Sequence, residues 1–427
     1  MNKIKDLEWF CPQPFMNTLV YRTVAPQPCC VLKQWPKGSI KRKYGTTDPK
    51  ELHDKDEYAD FRNEFLNGGG PLTQKYCQVC VEQEKHSNSS HRKIYLEKFT
   101  HKNGEYNDHL ETLEEYINTD MSEPNFLTME YIAPSNFCNL RCNMCGPYNS
   151  SSLAKENKDI GLHDAYGMDK FKNMPALIKD TDNVEEYAEI LKNLVELKLV
   201  GGETLAIKEN YDLMQLAVDL DVSKNMELRI TTNGTLTPKF GGKDVFDYIP
   251  LFKKCQMTVS IEFWGKKNDY IRFPSKWEVI LENARKFADC PRTTVMFAST
   301  VNALTIGYLP EIADGVYELR KEYESKAFSN LWSWSSGSLV WGDGNQYAPS
   351  SVPLDIRELY MNNYFECGDF MKKQFTEWEK LYNYLQDMPF DEELHKEMMT
   401  DIQLRDKHRG TCLTDVFPEW EPYYEKL

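Results

Sequence analysis

Long hydrophobic runs are missing from this chain of 427 residues. No apolar stretch approaches the roughly 18–20 residues that a membrane-spanning helix needs. The first eight residues, from Met1 to Glu8, also lack the apolar segment of a secretory signal. We therefore expect a soluble, cytoplasmic protein without a membrane partner. A chain of this length can form one large domain and a smaller one.

The chain also lacks an excess of basic residues. The chain has 51 Lys and Arg against 66 Asp and Glu, a net charge of −15, which argues against a nucleic-acid partner because such binding relies on neutralised phosphates. The basic stretch 37–43 is interpreted as a hairpin tip. Twelve cysteines are too few for a disulfide scaffold in a chain of this size. Seven of them lie in tight groups, which favours metal binding: Cys29, Cys30, Cys77, Cys80, Cys138, Cys142 and Cys145.

The central group places three thiols within eight residues, as Cys138-Asn-Leu-Arg-Cys142-Asn-Met-Cys145. Neighbouring Asn residues and Gly146-Pro147 favour a loop, and an apolar run before the loop predicts a strand. Soft thiolates select zinc, copper(I) or an iron–sulfur cluster. No fourth Cys or His follows closely, so a closed zinc site is disfavoured, whereas a four-iron cluster would keep one iron open for a substrate. A zinc knuckle or an unrelated cysteine-rich loop is the alternative.

This spacing resembles the cluster loop of the radical S-adenosylmethionine (SAM) enzymes. The resemblance implies a [4Fe–4S] cluster on the three cysteines, with the amino and carboxylate groups of SAM on the open iron. Reductive cleavage of SAM would then give a 5'-deoxyadenosyl radical, with electrons from a donor such as a flavodoxin or ferredoxin. The resemblance also implies that Met144, just before the third cysteine, lies against the adenine.

Strand and helix patterns alternate from residue 126 onward, which is typical of a parallel sheet covered by helices. We expect an α/β fold with a partial (β/α)6 TIM-like barrel at residues 121–345. A small cysteine-rich α+β domain at 1–120 and a helical extension at 346–427 complete the prediction. The predicted strands are 127–132, 194–200, 226–231, 256–261, 293–300 and 330–340, and the predicted helices between them are 184–193, 207–220, 245–254, 277–288 and 309–323.

Active residues are expected at the carboxyl ends of these strands. Gly201 and Gly202 allow close approach of the backbone to a ligand, and with Glu203 they resemble the glycine-rich motif that holds the SAM amino group. The resemblance further implies SAM contacts from Thr232 and Asn233, and it assigns Arg272 to the SAM carboxylate unless this residue forms a surface salt bridge. Strand alternation puts Ser260 and Glu262 on one face. The remaining predicted SAM contacts are Ser260 and Glu262 at the ribose and Val301 and Asn302 at the adenine.

The N-terminal segment contains a second candidate metal site. Cys77 and Cys80 form a C-x2-C pair, and Cys11 and either Cys29 or Cys30 complete a set of four. Residues 16–22 are expected to form a strand and residues 29–32 the returning strand of a hairpin. Adjacent strand residues point to opposite faces, so only one of Cys29 and Cys30 fits, and we favour Cys29. With Glu84 and Ser90-His-Arg92, the arrangement resembles the auxiliary iron–sulfur modules (SPASM and twitch) of radical SAM enzymes, although such modules commonly follow the barrel. Structural zinc in the same four thiolates is the alternative.

The resemblance implies an enzyme that abstracts hydrogen from a peptide or protein. Radical modification of tRNA or of a small metabolite is the second interpretation, and a non-catalytic iron–sulfur or zinc protein is the third. Aromatic and serine residues at 331–338 are interpreted as a substrate rim or as packing. A C-terminal helix is predicted from Asp391 to about His408, with Gly410 ending it, and Asp406 and Arg409 are expected to cap the open side of the barrel. Cys367 and Cys412 are interpreted as inert thiols, and a role in radical relay or proton donation is the alternative.

Overall fold

A sheet of seven parallel strands forms the centre of the computed structural model, and the strands lie in chain order. The structure describes residues 3–21, 27–32, 50, 53, 56–86, 90–119, 121, 123–162, 183–323, 328–330, 346–366 and 378–424. The strands are β1 (Asn17–Tyr21), β2 (Thr128–Ile132), β3 (Glu196–Val200), β4 (Glu227–Thr232), β5 (Lys254–Ser260), β6 (Thr293–Ala298) and β7 (Phe328–Asn330).

Helices precede or follow most of these strands, as the alternating pattern predicts. In chain order, the α-helices are α1 (Gln13–Met16), α2 (Asp56–Leu66), α3 (Pro71–Tyr76), α4 (Gln78–His86), α5 (His91–Thr100), α6 (Leu110–Asn118), α7 (Ser151–Asp159), α8 (Ala188–Leu191), α9 (Lys208–Asp219), α10 (Val245–Tyr248), α11 (Lys267–Ile271), α12 (Trp277–Asp289), α13 (Leu309–Glu322), α14 (Leu354–Glu366), α15 (Trp378–Asp387), α16 (Glu392–Arg409) and α17 (Glu421–Tyr424). Among the described helices, none is both long and apolar enough to cross a membrane.

The two faces of the sheet have different chemistry. Apolar side chains such as Leu199, Ile230 and Met257 belong to the main buried core, together with residues of the covering helices. The opposite face carries polar side chains, and Lys198 on β3 pairs with Glu130 on β2 at 3.1 Å. Because successive strand residues point to opposite faces, this polar side forms the interior of the partial barrel, and the carboxyl ends of all strands meet at one edge.

The predicted α/β fold with parallel strands is confirmed, with corrections. The N-terminal strand β1 pairs in parallel with β2 from Asn17↔Thr128 to Tyr21↔Ile132, so the sheet has seven strands rather than six. The hairpin predicted with a returning strand at 29–32 is wrong. Within the described part of this segment, only Leu19 and Gln27 form an antiparallel bridge, because the backbone of β1 is already paired with β2.

Two further boundaries differ from the prediction. The helix predicted at 245–254 ends at Tyr248, and a short 3-10 turn that contains Pro250 leads into β5. The sixth predicted strand overlaps the described β7 only at Asn330, and residues 331–340 lie outside the described part. The division of the chain near residues 120 and 345 stays a prediction.

The N-terminal segment has its own aromatic core, in which Phe10, Phe15, Phe61 and Phe65 are buried. At the other end of the chain, α16 ends at Arg409, and Gly410 follows in the left-handed conformation with φ 69°. The predicted end of this helix at Gly410 is confirmed. The helix is 18 residues long, and its last turn reaches the loop that follows β2.

Candidate active site and cysteine cavity

The three central cysteines lie in the loop after β2, as predicted, and the loop is not helical. Two hydroxyls at the start of α7 fix its backbone. Ser150 Oγ donates to the carbonyl of Leu140 at 2.6 Å, and Ser152 Oγ donates to that of Cys138 at 2.7 Å. These bonds satisfy backbone carbonyls that would otherwise be buried without partners. We call residues 138–145 the cluster loop.

Two thiols of the cluster loop are buried and the third, Cys145, is half-buried. Cys138 and Cys142 are buried, and Met144 and Cys145 pack against them. Burial raises the pKa of all three thiols, to about 12 for Cys138, and the neighbouring cysteines raise that of Cys138 and Cys145 further. The Arg272 guanidinium acts in the opposite direction on each of them. Three soft donors in one short loop, beside a buried cation, are chemically suited to a metal cluster that removes the thiol protons on binding.

Gly201 and Gly202 follow β3 and pack against the end of β2 and against the residue before the cluster loop. Both have positive φ, of 98° and 55°. A Cβ atom on Gly202 would lie 2.4 Å from the carbonyl oxygen of Phe137, and one on Gly201 would lie 2.7 Å from Ile132 Cγ2. The Glu203 N–H donates to the same Phe137 oxygen at 2.6 Å. Only glycine fits this approach, so the motif holds the residue before Cys138 in place.

The Glu203 carboxylate is fully buried and bonds to the end of the next strand. It accepts from Thr232 Oγ1 at 2.5 Å, from the Asn233 N–H at 2.8 Å and from the Leu205 N–H at 3.1 Å. Burial raises its pKa, and these donors partly offset that effect. The structure thus shows a carboxylate that joins the ends of β3 and β4. Its predicted contact with the SAM amino group stays a prediction.

Asn233 connects the end of β4 to the cluster loop. Its Nδ2 donates to Asn139 Oδ1 at 2.9 Å and lies 3.8 Å from Cys138 Sγ. Its Oδ1 accepts from the Thr235 backbone at 2.9 Å, and Asn139 Nδ2 donates to Thr235 Oγ1. The sequence predicted Asn139 only as a loop-forming residue. The structure places it in a hydrogen-bonded chain that brings Thr232 and Asn233 to the first cysteine.

Glu262 and Arg272 form a buried ion pair beside the three thiols. Arg272 Nη1 lies 2.8 Å from Glu262 Oε1, and Glu262 Oε2 accepts from the Thr300 N–H at 2.9 Å. Burial raises the pKa of Glu262 to about 8, although Arg272 lowers it in part. The surface salt bridge considered for Arg272 is wrong, because both side chains are buried. Their predicted roles at the SAM ribose and carboxylate stay predictions.

The remaining predicted SAM contacts lie at the same edge of the sheet. Ser260 is half-buried at the end of β5, and Val301 is buried in the main core. The side chain of Asn302 is held by its own turn, because Oδ1 accepts from the Leu304 N–H at 3.0 Å and Nδ2 donates to the Thr300 carbonyl. Asn302 thus shapes the turn after β6, and its predicted adenine contact stays a prediction.

The four N-terminal cysteines line one cavity. Cys11, Cys29, Cys77 and Cys80 surround it together with Trp9, His91, Arg92 and apolar side chains. Cys30 is exposed and lies outside this lining, with its Sγ 3.9 Å from His91 Nε2. Burial raises the pKa of the Cys11, Cys77 and Cys80 thiols. The donor set of the cavity is chemically suited to a thiolate-bound metal or cluster. The ligand atoms of Cys29, Cys30 and His91 also lie within 4.8 Å of one another, so the choice of Cys29 over Cys30 stays a prediction.

Arg92 braces this cavity from one side. Its Nε donates to Glu84 Oε1 at 2.9 Å, and its Nη1 donates to the carbonyl of Phe10 at 2.9 Å. Ser90 Oγ donates to the same Glu84 oxygen at 2.6 Å. The positive charge of Arg92 lowers the pKa of Cys11, against the larger effect of burial. Glu84, Ser90 and Arg92, which the sequence singled out, thus hold the walls of the cavity.

A comparison with protein families matches the segment that contains the cluster loop. Residues 132–314 match the family model of the radical SAM superfamily. The central part of the chain is thus similar to the radical SAM superfamily, a class of enzymes whose cofactors are a [4Fe–4S] cluster and SAM. No curated protein matches the chain.

A solved structure of Streptococcus suis SuiB bound to S-adenosylmethionine is similar to 78% of this chain, with 13% sequence identity and a TM-score of 0.31. The chain spans 65% of the length of that structure.

Proposed function

We propose that this protein cleaves SAM reductively at a [4Fe–4S] cluster on Cys138, Cys142 and Cys145 and uses the resulting 5'-deoxyadenosyl radical to abstract hydrogen from a substrate. The observation that carries the proposal is that a loop with three cysteines, two of them buried and one half-buried, lies next to the glycine motif after β3. Gly202 packs on the residue before Cys138, and the match to the superfamily covers both features.

The protein's own residues would orient SAM and exclude water. Glu203 lies after β3, Ser260 and Glu262 lie at the end of β5, and Arg272 supplies a buried positive charge next to the thiols. A carboxylate of SAM is a suitable partner for this guanidinium, which can bind a carboxylate through two nitrogens. The buried surroundings strengthen such contacts and protect a reactive radical from solvent.

The proposed activity is tested by anaerobic reconstitution with iron and sulfide, followed by reduction in the presence of SAM. The wild type should form 5'-deoxyadenosine, and Cys142→Ala should form none. Cys255→Ala is the matched control, since Cys255 is a buried cysteine on β5 in the main core. Equal product from the wild type and Cys142→Ala would refute the proposal, and so would no product from the wild type under several reductants.

The N-terminal cavity is proposed to hold an auxiliary iron–sulfur cluster on Cys11, Cys29, Cys77 and Cys80. Its support is that four thiols line one cavity and that their spacing resembles the auxiliary modules of radical SAM enzymes. Zinc in the same four thiolates is the second candidate, since thiolates alone satisfy a tetrahedral zinc site. Metal analysis of Cys142→Ala separates the two, because that variant should retain iron only if the cavity binds a cluster.

A peptide or protein is the proposed substrate, because enzymes with auxiliary modules of this kind frequently modify peptides. Cytoplasmic location and a flavodoxin or ferredoxin donor complete the proposal. The test adds peptide, tRNA and small-metabolite fractions separately to the reduced enzyme. A protease-sensitive increase in 5'-deoxyadenosine formation supports a peptide substrate, and a nuclease-sensitive increase would contradict it.

A further inference from the structure

The last turn of helix α16 contacts the cluster loop. Arg409 Nη1 donates to Asn143 Oδ1 at 2.5 Å, and Arg409 Nη2 donates to the carbonyl of Arg141 at 2.6 Å. Arg141 and Asn143 are the two neighbours of Cys142. One guanidinium, far away in sequence, therefore bonds to both sides of the central cysteine.

Glu156 on α7 holds this guanidinium in place. Its carboxylate is fully buried and accepts from Arg409 Nη2 at 2.6 Å, while Arg141 Nη1 lies 3.1 Å from its other oxygen. Burial opposes ionisation of Glu156, but the arginines around it outweigh burial and lower its pKa. A buried carboxylate between several arginines is a costly arrangement unless all the groups are bonded. Here the groups are bonded to one another, so Glu156 holds the Arg409 side chain in one position.

Asp406, one turn earlier on the same helix, contacts a second part of the SAM site. The Tyr270 hydroxyl donates to Asp406 Oδ2 at 3.1 Å, and the Leu413 N–H donates to the same oxygen at 2.8 Å. Tyr270 precedes the segment that contains Arg272. In that segment, the carbonyls of Ile271 and Phe273 accept from the N–H groups of Asn143 and Arg141, at 3.0 and 2.6 Å.

From these contacts we infer that Arg409 is a positioning residue, which fixes the cluster loop against the Tyr270–Arg272 segment and adds positive charge beside Cys142. Its charge should make the reduced cluster more stable and raise its reduction potential, since reduction adds negative charge. The part of the inference that concerns the potential rests on the proposed function. The part that concerns the loop does not.

Amide hydrogen exchange of the metal-free protein tests the loop. In Arg409→Gln, the amides of Arg141 and Asn143 should exchange at least tenfold faster than in the wild type, because the loop loses the two hydrogen bonds that Arg409 donates to it. Arg405→Gln is the matched control. Arg405 lies one turn earlier and bonds to Glu156, Asn157 and Asp401, so its loss should weaken α16 without releasing these two amides. Equal exchange in the two variants would overturn the inference.

A redox titration of the reconstituted protein tests the charge. The cluster whose electron paramagnetic resonance signal changes on addition of SAM should have a lower reduction potential in Arg409→Gln than in the wild type. Arg409→Lys, which keeps the charge but not the two-nitrogen contact, should restore the potential while its loop amides still exchange faster. An unchanged potential in Arg409→Gln would overturn the electrostatic role. A wild type without a SAM-responsive signal would refute the proposed function, and the exchange result would still decide the positioning role.

Discussion

Backbone geometry at Gly202 shows how the site depends on single residues. Its positive φ of 55° disfavours residues with a side chain, and the atom that a Cβ would meet is a backbone oxygen of Phe137 at 2.4 Å. A flexible side chain could move away, but this carbonyl is fixed by the Glu203 N–H. The glycine motif is thus required by packing against the cluster loop, whatever ligand it also contacts.

Alanine at position 202 should be more damaging than alanine at a glycine with the same backbone angle. Gly241 has φ 59°, and a Cβ added there would have no atom within 4 Å, so Gly241→Ala should cost only the left-handed strain, about 1–2 kcal/mol. Gly202→Ala should cost more and should also weaken SAM binding to the reconstituted protein. Urea unfolding and SAM titration check both effects, and equal behaviour of the two variants would contradict this account.

The pair Cys29 and Cys30 gives a second comparison at the residue scale. Cys29 lines the N-terminal cavity and Cys30 does not. Cys29→Ala should therefore lose the metal of this cavity, whereas Cys30→Ala should retain it. Metal analysis combined with the SAM-responsive signal, which neither variant should lose, checks the result. Loss of the cavity metal in Cys30→Ala alone would show that the ligands are assigned wrongly.

At the scale of elements, ion pairs join the N-terminal segment to the sheet. Arg229 on β4 lies 2.6 Å from Glu196 on β3, and Lys98 on α5 lies 3.5 Å from the same carboxylate. Glu105, Glu196 and Glu227 form an acidic group close enough to suggest a metal site. Since Lys98, Arg229 and Lys254 pair with these carboxylates, we interpret the group as a structural junction.

The stability of this junction should depend on pH. Burial opposes ionisation of Glu196, but Lys98 and Arg229 outweigh it and lower its pKa to about 2. At neutral pH, the lowered pKa of Glu196 therefore stabilises the folded state relative to the unfolded state by about 3 kcal/mol. Wild type should exceed Glu196→Gln in unfolding free energy at pH 7, and the difference should shrink as the pH falls from about 5 toward 3.

Urea unfolding at several pH values measures this difference. Glu189→Gln is the matched control, because Glu189 is 83% exposed and pairs with Lys192 on the surface. Its difference from the wild type should be small at every pH. A difference for Glu196→Gln that stays constant or grows between pH 5 and pH 3 would contradict the account.

Local patterns predicted most of the elements but not their partners. The apolar and polar alternation near Leu197 is sufficient to place β3, and Gly410 is sufficient to place the end of α16. The pairing of β1 with β2 is not encoded locally, because a five-residue strand can pair wherever an edge is free. The helix predicted at 245–254 was too long because an apolar run without clear periodicity fits either a helix or a strand.

In the candidate site, too, the sequence predicted local motifs but not their contacts with distant segments. Cysteine spacing predicted the cluster loop, and glycines after a strand predicted the motif at Gly202. The contact of Arg409 with the loop was not predicted, although its helix was, because a sequence does not reveal which distant surface a helix end touches. Glu156 was missed altogether. A carboxylate on a short polar helix is usually exposed, and only the arginines that approach α7 from other segments explain its burial.

At the scale of the whole molecule, the two cysteine sites are built on neighbouring strands. The chain passes from Cys11 through α1 into β1 and returns to Cys29 beyond it. The adjacent strand β2 leads into the cluster loop, and α16 closes the loop from the other end of the chain. The N-terminal cysteines thus lie near the amino end of β1, where Asn17 Nδ2 donates to the carbonyl of Pro28 at 2.9 Å, whereas the central and C-terminal segments meet at the carboxyl edge of the sheet.

The central claim is that three thiolates hold a cluster with one iron open to SAM. It is tested most directly by electron–nuclear double resonance of the reduced protein with SAM carrying ¹⁷O in its carboxylate and ¹⁵N in its amino group. The account predicts magnetic coupling of both labels to the cluster, and its loss in Cys142→Ala. A cluster with no coupling to either label, or zinc alone on Cys138, Cys142 and Cys145, would contradict it.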